Sequence, residues 1–378
     1  MRSKVAKWVA PKGTVLEVRH ADVLAADLSH LGVAGVAEFV PGQPIAVNWV
    51  MTPPSAGSGG HTTIFRIINY LEAHGCRNRV YFYDVYGGDH RYYASIVRSY
   101  FRFSGPVGTV EDGMADAHAV VATAWPTAYA VLTSRCLGRR FYFVQDFEPY
   151  FYPLGACSIL AANTYRMGFY GITAGRWLAQ KLRTDFGMDS DYFSFGCDTN
   201  AYHRLPDSKR DGVVFYARPG AERRGFELGL MAMELFAARR PDIVLHFYGD
   251  KIGKRSFPFV DHGMVRPGEL NAVYNACYAG LSLSMTNVSL VPHEMLAAGC
   301  IPVVNDAEHN RIVLDNPYVR YAASDPHALS SALEDVTRLA DFDAASSVAA
   351  NSVQLANWDD AGEMVNRILR RETGALLG

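Results

Sequence analysis

The sequence predicts an α/β protein built from two doubly wound parallel sheets that face each other across a cleft. Three observations carry that prediction. The strand patterns are near-continuous apolar runs, PIAVNWVMT at 44–52 being the clearest, as expected of strands covered on both faces. Strand and helix patterns alternate along most of the chain, the rhythm of parallel strands joined by crossover helices. A polar, turn-rich join, NAYHRLPDSKRDG at 200–212, divides this alternation into two similar halves.

Composition agrees with that class. A chain of 378 residues has room for two domains with separate cores. With 36 basic and 38 acidic residues, the balance gives no reason to expect a nucleic-acid partner. No apolar run reaches the roughly 18 residues that a membrane-spanning helix needs. The start, MRSKVAKWVAPKG, lacks the apolar core of a signal peptide, so a cytoplasmic location is expected. The six cysteines form no CxxC pair and several lie in apolar surroundings, which favours buried free thiols over disulfides or a zinc site.

The elements follow in order. Residues 1–42 show little periodicity; ADVLAADLSHLGVAGVAEFV is read as a short helix and an edge strand in an extension packed on the first domain. After the strand at 44–52 comes the loop PPSAGSGGH. A helix follows over TTIFRIINYLEAHG, where Ile64, Ile67, Ile68 and Leu71 keep helical spacing. NRVYFYDV, AHAVVATA, RRFYFVQDF, YGITAG and DYFSFGCD are the remaining strands of the first half. The helices between them include HRYYASIVRSYFRF (90–103), basic and aromatic. In the second half VVFYAR, IVLHFYGD, FVDHGMV, AGLSLSM, CIPVV and VRYAA are strands, and the tail from Asp341 onward is helical.

Four places carry candidate chemistry. The loop SAGSGGH (55–61) lets backbone approach a ligand closely, although His61 stands where a phosphate-loop lysine would be; a turn needed only for packing is the alternative. FYARPGAERRGF puts Arg218 at a strand's C-terminal end and Arg224 just before a helix, where ligands of open α/β sheets sit; a solvated basic loop is the alternative. FVQDFEPYFYP places Gln145, Asp146 and Glu148 among aromatics, suited to sugar stacking, acid/base work or helix capping. Met285–Asp306 reads as a turn, a short helix opened by Pro292 with Glu294 in its first turn, then Gly299 and a strand: a seat for phosphate. Two D-x-D triplets, Asp189-Ser190-Asp191 and Asp341-Phe342-Asp343, fall away from these motifs and read as solvated acids, so no required metal is expected.

The order of these pieces resembles glycosyltransferase family 4, the retaining GT-B enzymes. Their usual late motif looks like E-G-F-G-L-x-P-x-E-A-M-A-x-G-x-P-V-V. Here it stands as Thr286-Asn287-Val288-Ser289-Leu290-Val291-Pro292-His293-Glu294, continuing to Gly299 and Pro302-Val303-Val304. FGCDTNAYHR is similar to the family's segment before its linker. The resemblance spans roughly 44–372. It implies a GT-B fold of two Rossmann-like domains: 1–203 binding the acceptor and rejoined by helix 357–378, and 204–356 binding a nucleotide-sugar.

By position, the resemblance implies that Glu294 holds the ribose hydroxyls, that Ser289, Leu290 and Val291 face the diphosphate, and that Arg218 and Arg224 stabilise the leaving nucleotide. His61, with Gly59 and Gly60, would lie beneath the donor on the N-terminal side as a catalytic or donor-contacting residue, and Asp146 is a catalytic candidate for acid/base work. Gln145 and Glu148 would face the acceptor. Thr286 replaces the family's first glutamate, which alters the expected contact to the donor sugar. VQDFEPYFYPLG and PHEML are similar to the rhamnosyltransferases that build surface glycans from dTDP-rhamnose. The implied function is transfer of a sugar, L-rhamnose by this analogy, to a glycan, lipid-linked or small-molecule hydroxyl with no cofactor. A non-catalytic sugar-nucleotide sensor or partner subunit, and a sugar-nucleotide epimerase, are the alternatives. Residues 90–103 could touch the inner face of the plasma membrane, or form a half-buried amphipathic helix.

Overall fold

The computed structural model describes residues 16–31, Gly35 and 43–374. The expected edge strand in the 32–42 stretch, the N-terminal residues 1–15 and the end of the last helix at 375–378 lie outside the described residues. In chain order, the first half holds α1 (His20–Ala25), β1 (Ile45–Met51), α2 (Gly59–Ala73), β2 (Cys76–Phe82), α3 (His90–Ser99), β3 (Val107–Thr109), β4 (Ala119–Ala122) and α4 (Trp125–Thr133). It continues with β5 (Arg139–Val144), α5 (Ala156–Thr164), β6 (Tyr170–Ala174), α6 (Arg176–Phe186) and β7 (Ser190–Phe193). The second half holds β8 (Gly212–Ala217), α7 (Phe226–Arg239), β9 (Val244–Gly249), β10 (Val260–Gly263), α8 (Pro267–Asn275), β11 (Cys277–Leu281), α9 (Val291–Ala297) and β12 (Ile301–Asn305). Then come α10 (Glu308–Leu314), β13 (Arg320–Ala322), α11 (Pro326–Thr337), α12 (Phe342–Asn351) and α13 (Trp358–Glu372).

Two sheets result, ordered β3-β2-β1-β4-β5-β6-β7 and β10-β9-β8-β11-β12-β13. Every paired neighbour is parallel, with Ile45 opposite Cys76 and Val47 opposite Ala119 in the first sheet, and Leu281 opposite Phe215 and Val303 in the second. The strand order reverses between β1 and β4, and again between β8 and β11. At such a reversal the following helices leave toward opposite faces, which opens a crevice at the strands' C-terminal ends. All the sequence motifs that carried candidate chemistry lie at these ends.

The central strands are apolar because both faces are covered. Trp49 and Val50 of β1 are fully buried, and the Trp49 indole N–H donates to Asn78 Oδ1 at 2.9 Å, so its one polar atom is satisfied inside the core. All six cysteines are buried and free.

The two sheets are pressed together at their facing ends. Gly175, at φ +92°, ends β6; a Cβ there would fall 2.9 Å from Val313 of α10, so a side chain at this position would hold the two halves apart. Beside it the Trp177 and His309 rings lie 5.2 Å apart, centre to centre. The last helix, α13, returns to the first sheet and packs on α2 and β7. The Arg66 guanidinium covers the Trp358 ring at 4.7 Å, and the absence of a side chain at Gly362 lets Tyr70 lie against the helix.

Three local readings change. The helix expected over 90–103 stops at Ser99, because Phe101 and Phe103 turn into the core with Arg102 at φ 58° between them. The turn-rich gap after it contains β3, too short to show a period. The helical tail is broken at 352–357, where the Ala356 carbonyl accepts the Cys197 N–H at 2.7 Å and the chain crosses between halves.

A Cβ at Gly362 would sit 2.2 Å from Tyr70 Cγ. Gly362→Leu is expected to lower stability by about 1–3 kcal/mol through overpacking, measured by urea unfolding.

Candidate functional site

The crevice is built from four connections. In the first, β1 to α2, the Ser58 hydroxyl caps α2 and contacts His61 Nδ1 at 2.9 Å, while His61 Nε2 meets the Thr52 carbonyl at 3.0 Å. The second bond makes Nε2 the protonated nitrogen, so Nδ1 accepts from Ser58. Burial also holds the imidazole below its usual pKa. Both ring nitrogens are therefore held by the loop itself, and His61 stiffens it. Gly59 and Gly60 are exposed, and a Cβ on Gly60 would stand 3.6 Å from Gln145 Nε2. The fold thus brings the glycine loop and Gln145 together from positions far apart in sequence.

The second connection leaves β5. Asp146 Oδ1 accepts the backbone N–H of Phe147 at 2.9 Å and that of Asn287, in the other half, at 2.7 Å. Its Oδ2 lies 3.3 Å from Arg223 Nε. A carboxylate with both oxygens engaged this way joins the two halves. Glu148 turns inward: Oε2 accepts the Trp125 N–H at 2.8 Å at the start of α4, and Oε1 accepts the Tyr142 hydroxyl at 2.8 Å. At 7% exposure it caps a helix within the core, so the acceptor contact expected of Glu148 is corrected.

The third connection leaves β8. Arg218 Nε lies 3.5 Å from Asp250 Oδ2. Arg224 is held differently. Its Nη1 donates to Ser284 Oγ at 2.8 Å and to the Asn287 carbonyl at 3.4 Å, and it has no carboxylate partner among the described residues. Burial lowers its pKa, opposed by Asp146 and reinforced by Arg223 and Arg218. An arginine stays charged under such pressure, so the site holds a cation whose charge is not locally neutralised.

The fourth connection, β11 to α9, carries the late motif. Ser284 is fixed from below: its N–H donates to Asn305 Oδ1 at 2.9 Å, and its carbonyl accepts from Asn305 Nδ2 at 2.8 Å and meets His309 Nε2 at 2.8 Å. The N–H groups of Ser289 and Leu290 have no acceptor among the described residues. The helix that follows has only seven residues, so these donors, more than a long macrodipole, are what the turn offers an anion. Thr286 is 1% exposed and its hydroxyl is buried without a partner.

Glu294 sits one turn into α9. Burial raises its pKa to about 7, with Arg66 the main opposing charge, and its one hydrogen bond comes from the Tyr274 hydroxyl at 3.4 Å. It has acceptor capacity to spare and a cation from the other half nearby. The D-x-D acids are engaged elsewhere: Asp191 by Arg371 and Tyr170, Asp343 by Arg204.

Sequence reasoning missed Asn287, Arg223, Ser284, Asn305 and Arg66. Only two signals were available, the asparagine standing where the late motif has glycine and the arginine preceding Arg224.

Two facing parallel-sheet domains of this kind form the GT-B architecture. A family model described as "WsaF, C-terminal domain" matches residues 211–334. The O-antigen biosynthesis protein RfbC of Myxococcus xanthus is 37% identical over 202 residues, a match covering 51% of this chain and 16% of that protein's length. Among solved structures, TarM superposes with a TM-score of 0.70 at 8% identity, covering 88% of this chain and 100% of that one. Anabaena Alr3699/HepE, solved in complex with UDP and glucose, gives 0.66 at 12% identity, with coverages of 86% and 100%. Identities this low carry the fold alone.

Burial raises the Glu148 pKa to about 7 from an ordinary 4.5. The stability it contributes is therefore complete below about pH 4.5 and is lost as pH rises through 7. Glu148→Ala is expected to lose about 2–4 kcal/mol in urea unfolding, because two buried donors are left unpaired. Glu148→Gln, which can accept from Trp125 and donate to Tyr142, is expected to fold near normally and to flatten this part of the pH dependence.

Proposed function

We propose that the chain is a nucleotide-sugar glycosyltransferase of cell-envelope glycan synthesis, acting with retention at the anomeric carbon. The observation that carries this reading is the pairing of a half-buried cation with no ion-pair partner of its own among the described residues, Arg224, with a carboxyl of spare acceptor capacity, Glu294, on the two second-half connections of one crevice. A diphosphate next to a ribose needs such a pair. The RfbC relationship supports an envelope-glycan setting, and the GT-B fold supports a donor held between two domains.

In this reading, Glu294 accepts from the nucleoside sugar, the 3'-hydroxyl in a dTDP donor or both ribose hydroxyls in a UDP donor, and Arg224, Arg218 and the free amides of Ser289 and Leu290 receive the diphosphate. The bond from the anomeric carbon to the phosphate oxygen breaks with its electron pair leaving on the diphosphate. The acceptor hydroxyl bonds to that carbon from the same face, and its proton passes to the departing phosphate oxygen. The developing negative charge then grows against Arg224, whose setting is already built, which is the largest electrostatic help such a site can give. Closure of the cleft excludes water that would hydrolyse the donor. No protein nucleophile and no metal enter this scheme. The proposed donor is dTDP-L-rhamnose; Thr286, smaller and neutral where the late motif has glutamate, suits a sugar lacking a polar group there.

The acceptor side of the proposal includes a membrane-linked substrate. On α3 and just after it, Arg91, Tyr92, Arg98, Tyr100 and Arg102 are exposed while Ile96 and Val97 face the core. This basic and aromatic face suits anionic headgroups. Co-sedimentation with phosphatidylglycerol vesicles is expected, and its loss in an Arg91→Glu/Arg98→Glu variant; no sedimentation of the wild type removes the membrane contact.

Calorimetry with dTDP and UDP is expected to give micromolar binding of at least one, weakened about 100-fold in Glu294→Ala. Ribose hydroxyls donate best to the ionised carboxylate, so binding expels the proton held near pH 7, and affinity is expected to rise from pH 6 to 8. Glu294→Gln should flatten that rise. A folded protein that binds neither nucleotide contradicts the reading.

A further inference from the structure

One residue in the crevice touches both halves of the protein with every polar group it has except one. The Asn287 side-chain amide donates to the Gln145 carbonyl at 2.9 Å and to the Ala174 carbonyl at 2.9 Å, the C-terminal ends of β5 and β6. Its backbone N–H donates to Asp146 Oδ1 at 2.7 Å. Its backbone carbonyl faces the other way and accepts from Arg224 Nη1 at 3.4 Å and from the Ser284 hydroxyl. The residue is wholly buried, and the side-chain oxygen alone lacks a partner among the described residues.

The surroundings make this a built contact and not a chance one. Arg223 lies 3.3 Å from the second oxygen of Asp146, and its guanidinium covers the Phe151 ring at 4.4 Å. Its carbonyl accepts the Met285 N–H at 2.8 Å, which ties the β8 connection to the late-motif loop. Ser284, Asn305 and Asn310 continue the same chain of hydrogen bonds into β12 and α10, with Asn310 Nδ2 donating to the Asn305 carbonyl at 2.8 Å. A polar network of this kind has few low-energy arrangements, so its members move together. A glycine at position 287, as in the late motif that this chain resembles, could make the two backbone contacts but neither side-chain bond.

We propose that Asn287 is a positioning residue that clasps the late-motif loop to the ends of β5 and β6 and thereby sets where Arg224 stands when the cleft is closed. For its catalytic consequence the proposal rests on the glycosyltransferase reading; for the clasp itself it does not. Asn287 touches no reacting atom. It acts through Arg224, because the carbonyl that receives Arg224 belongs to the same residue whose amide is anchored on the opposite domain. Closing the cleft and orienting the cation are then one event.

Two variants separate this role from simple packing. Asn287→Gly removes only the two side-chain bonds. Asn287→Asp keeps the shape but sets a carboxylate against two carbonyl oxygens. The readout is the distance between spin labels placed at Tyr92→Cys in the first half and Met231→Cys in the second, positions that are 59% and 49% exposed. The doubly labelled full chain without nucleotide is expected to give a narrow distribution, which both Asn287 variants broaden toward longer distances. In donor turnover, kcat is expected to fall about tenfold while the donor KM changes less than about threefold, since the interaction lost acts mainly when the cation meets the departing charge. Unchanged distance distributions in both variants overturn the clasp, and so does a broadened distribution with wild-type kcat. If the wild type turns over no donor at all, the glycosyltransferase reading fails, and the label distances alone then decide for or against the clasp. Should Asn287→Asp not fold, Asn287→Gly carries the same comparison.

Discussion

The structure depends on a seam where the C-terminal ends of two sheets are joined through hydrogen bonds. Strand ends at a topological reversal leave carbonyls and helix starts pointing into the crevice, and these groups must meet something. Here the carbonyls after β5 and β6 meet the Asn287 amide, and Asp146 meets Asn287 N–H and Arg223. Apolar contacts reinforce it, Val313 against Gly175, Trp177 against His309 and Phe151 beneath Arg223, and one buried apolar cluster runs through both halves. The polar contacts gather at the strand ends, where ligands of open α/β sheets sit.

Charge in the crevice is arranged unequally for the same reason. Three arginines lie within one short stretch, and two of them already have carboxylates nearby, Arg218 with Asp250 and Arg223 with Asp146. Arg224 is left with a hydroxyl and a carbonyl, which orient it without neutralising it. Glu294 stands in the complementary position, a half-buried carboxyl with one long hydrogen bond and a raised pKa. Groups held this way are unfavourable in the empty protein and favourable once an anion and its hydroxyl-bearing neighbour arrive. Perturbed groups that converge in a crevice mark a binding site more strongly than any one of them alone.

Much of this was legible in the sequence, and the reasons are physical. The apolar runs and their alternation with helices foretell two parallel sheets, because a strand covered on both faces has no polar side to display. The turn at 200–212 separates the halves because a join between two cores carries polar, turn-forming residues. Arg218, Arg224 and Glu294 could be placed beside the crevice because ligands of such sheets gather at strand ends, and strand ends can be read. The surroundings of His61, Asp146 and Glu148 could not be read in the same way. A histidine or carboxylate looks reactive in a sequence until its hydrogen-bond partners are known, and here Thr52, Asn287 and Trp125 take up the groups that would have reacted.

What the sequence determined by itself is the fold class, the place of the crevice and the second-half residues that face it, since these follow from local pattern and from the fixed geometry of parallel sheets. What only the tertiary structure decided is which polar groups remain free. That depends on partners near and far in the chain, Thr52 for His61 and Trp125 for Glu148, and above all Gln145 and Ala174 for Asn287, more than a hundred positions away. No periodicity encodes such a pairing. It exists because two sheets meet at one seam, and the side chains there are satisfied by whatever the other sheet presents.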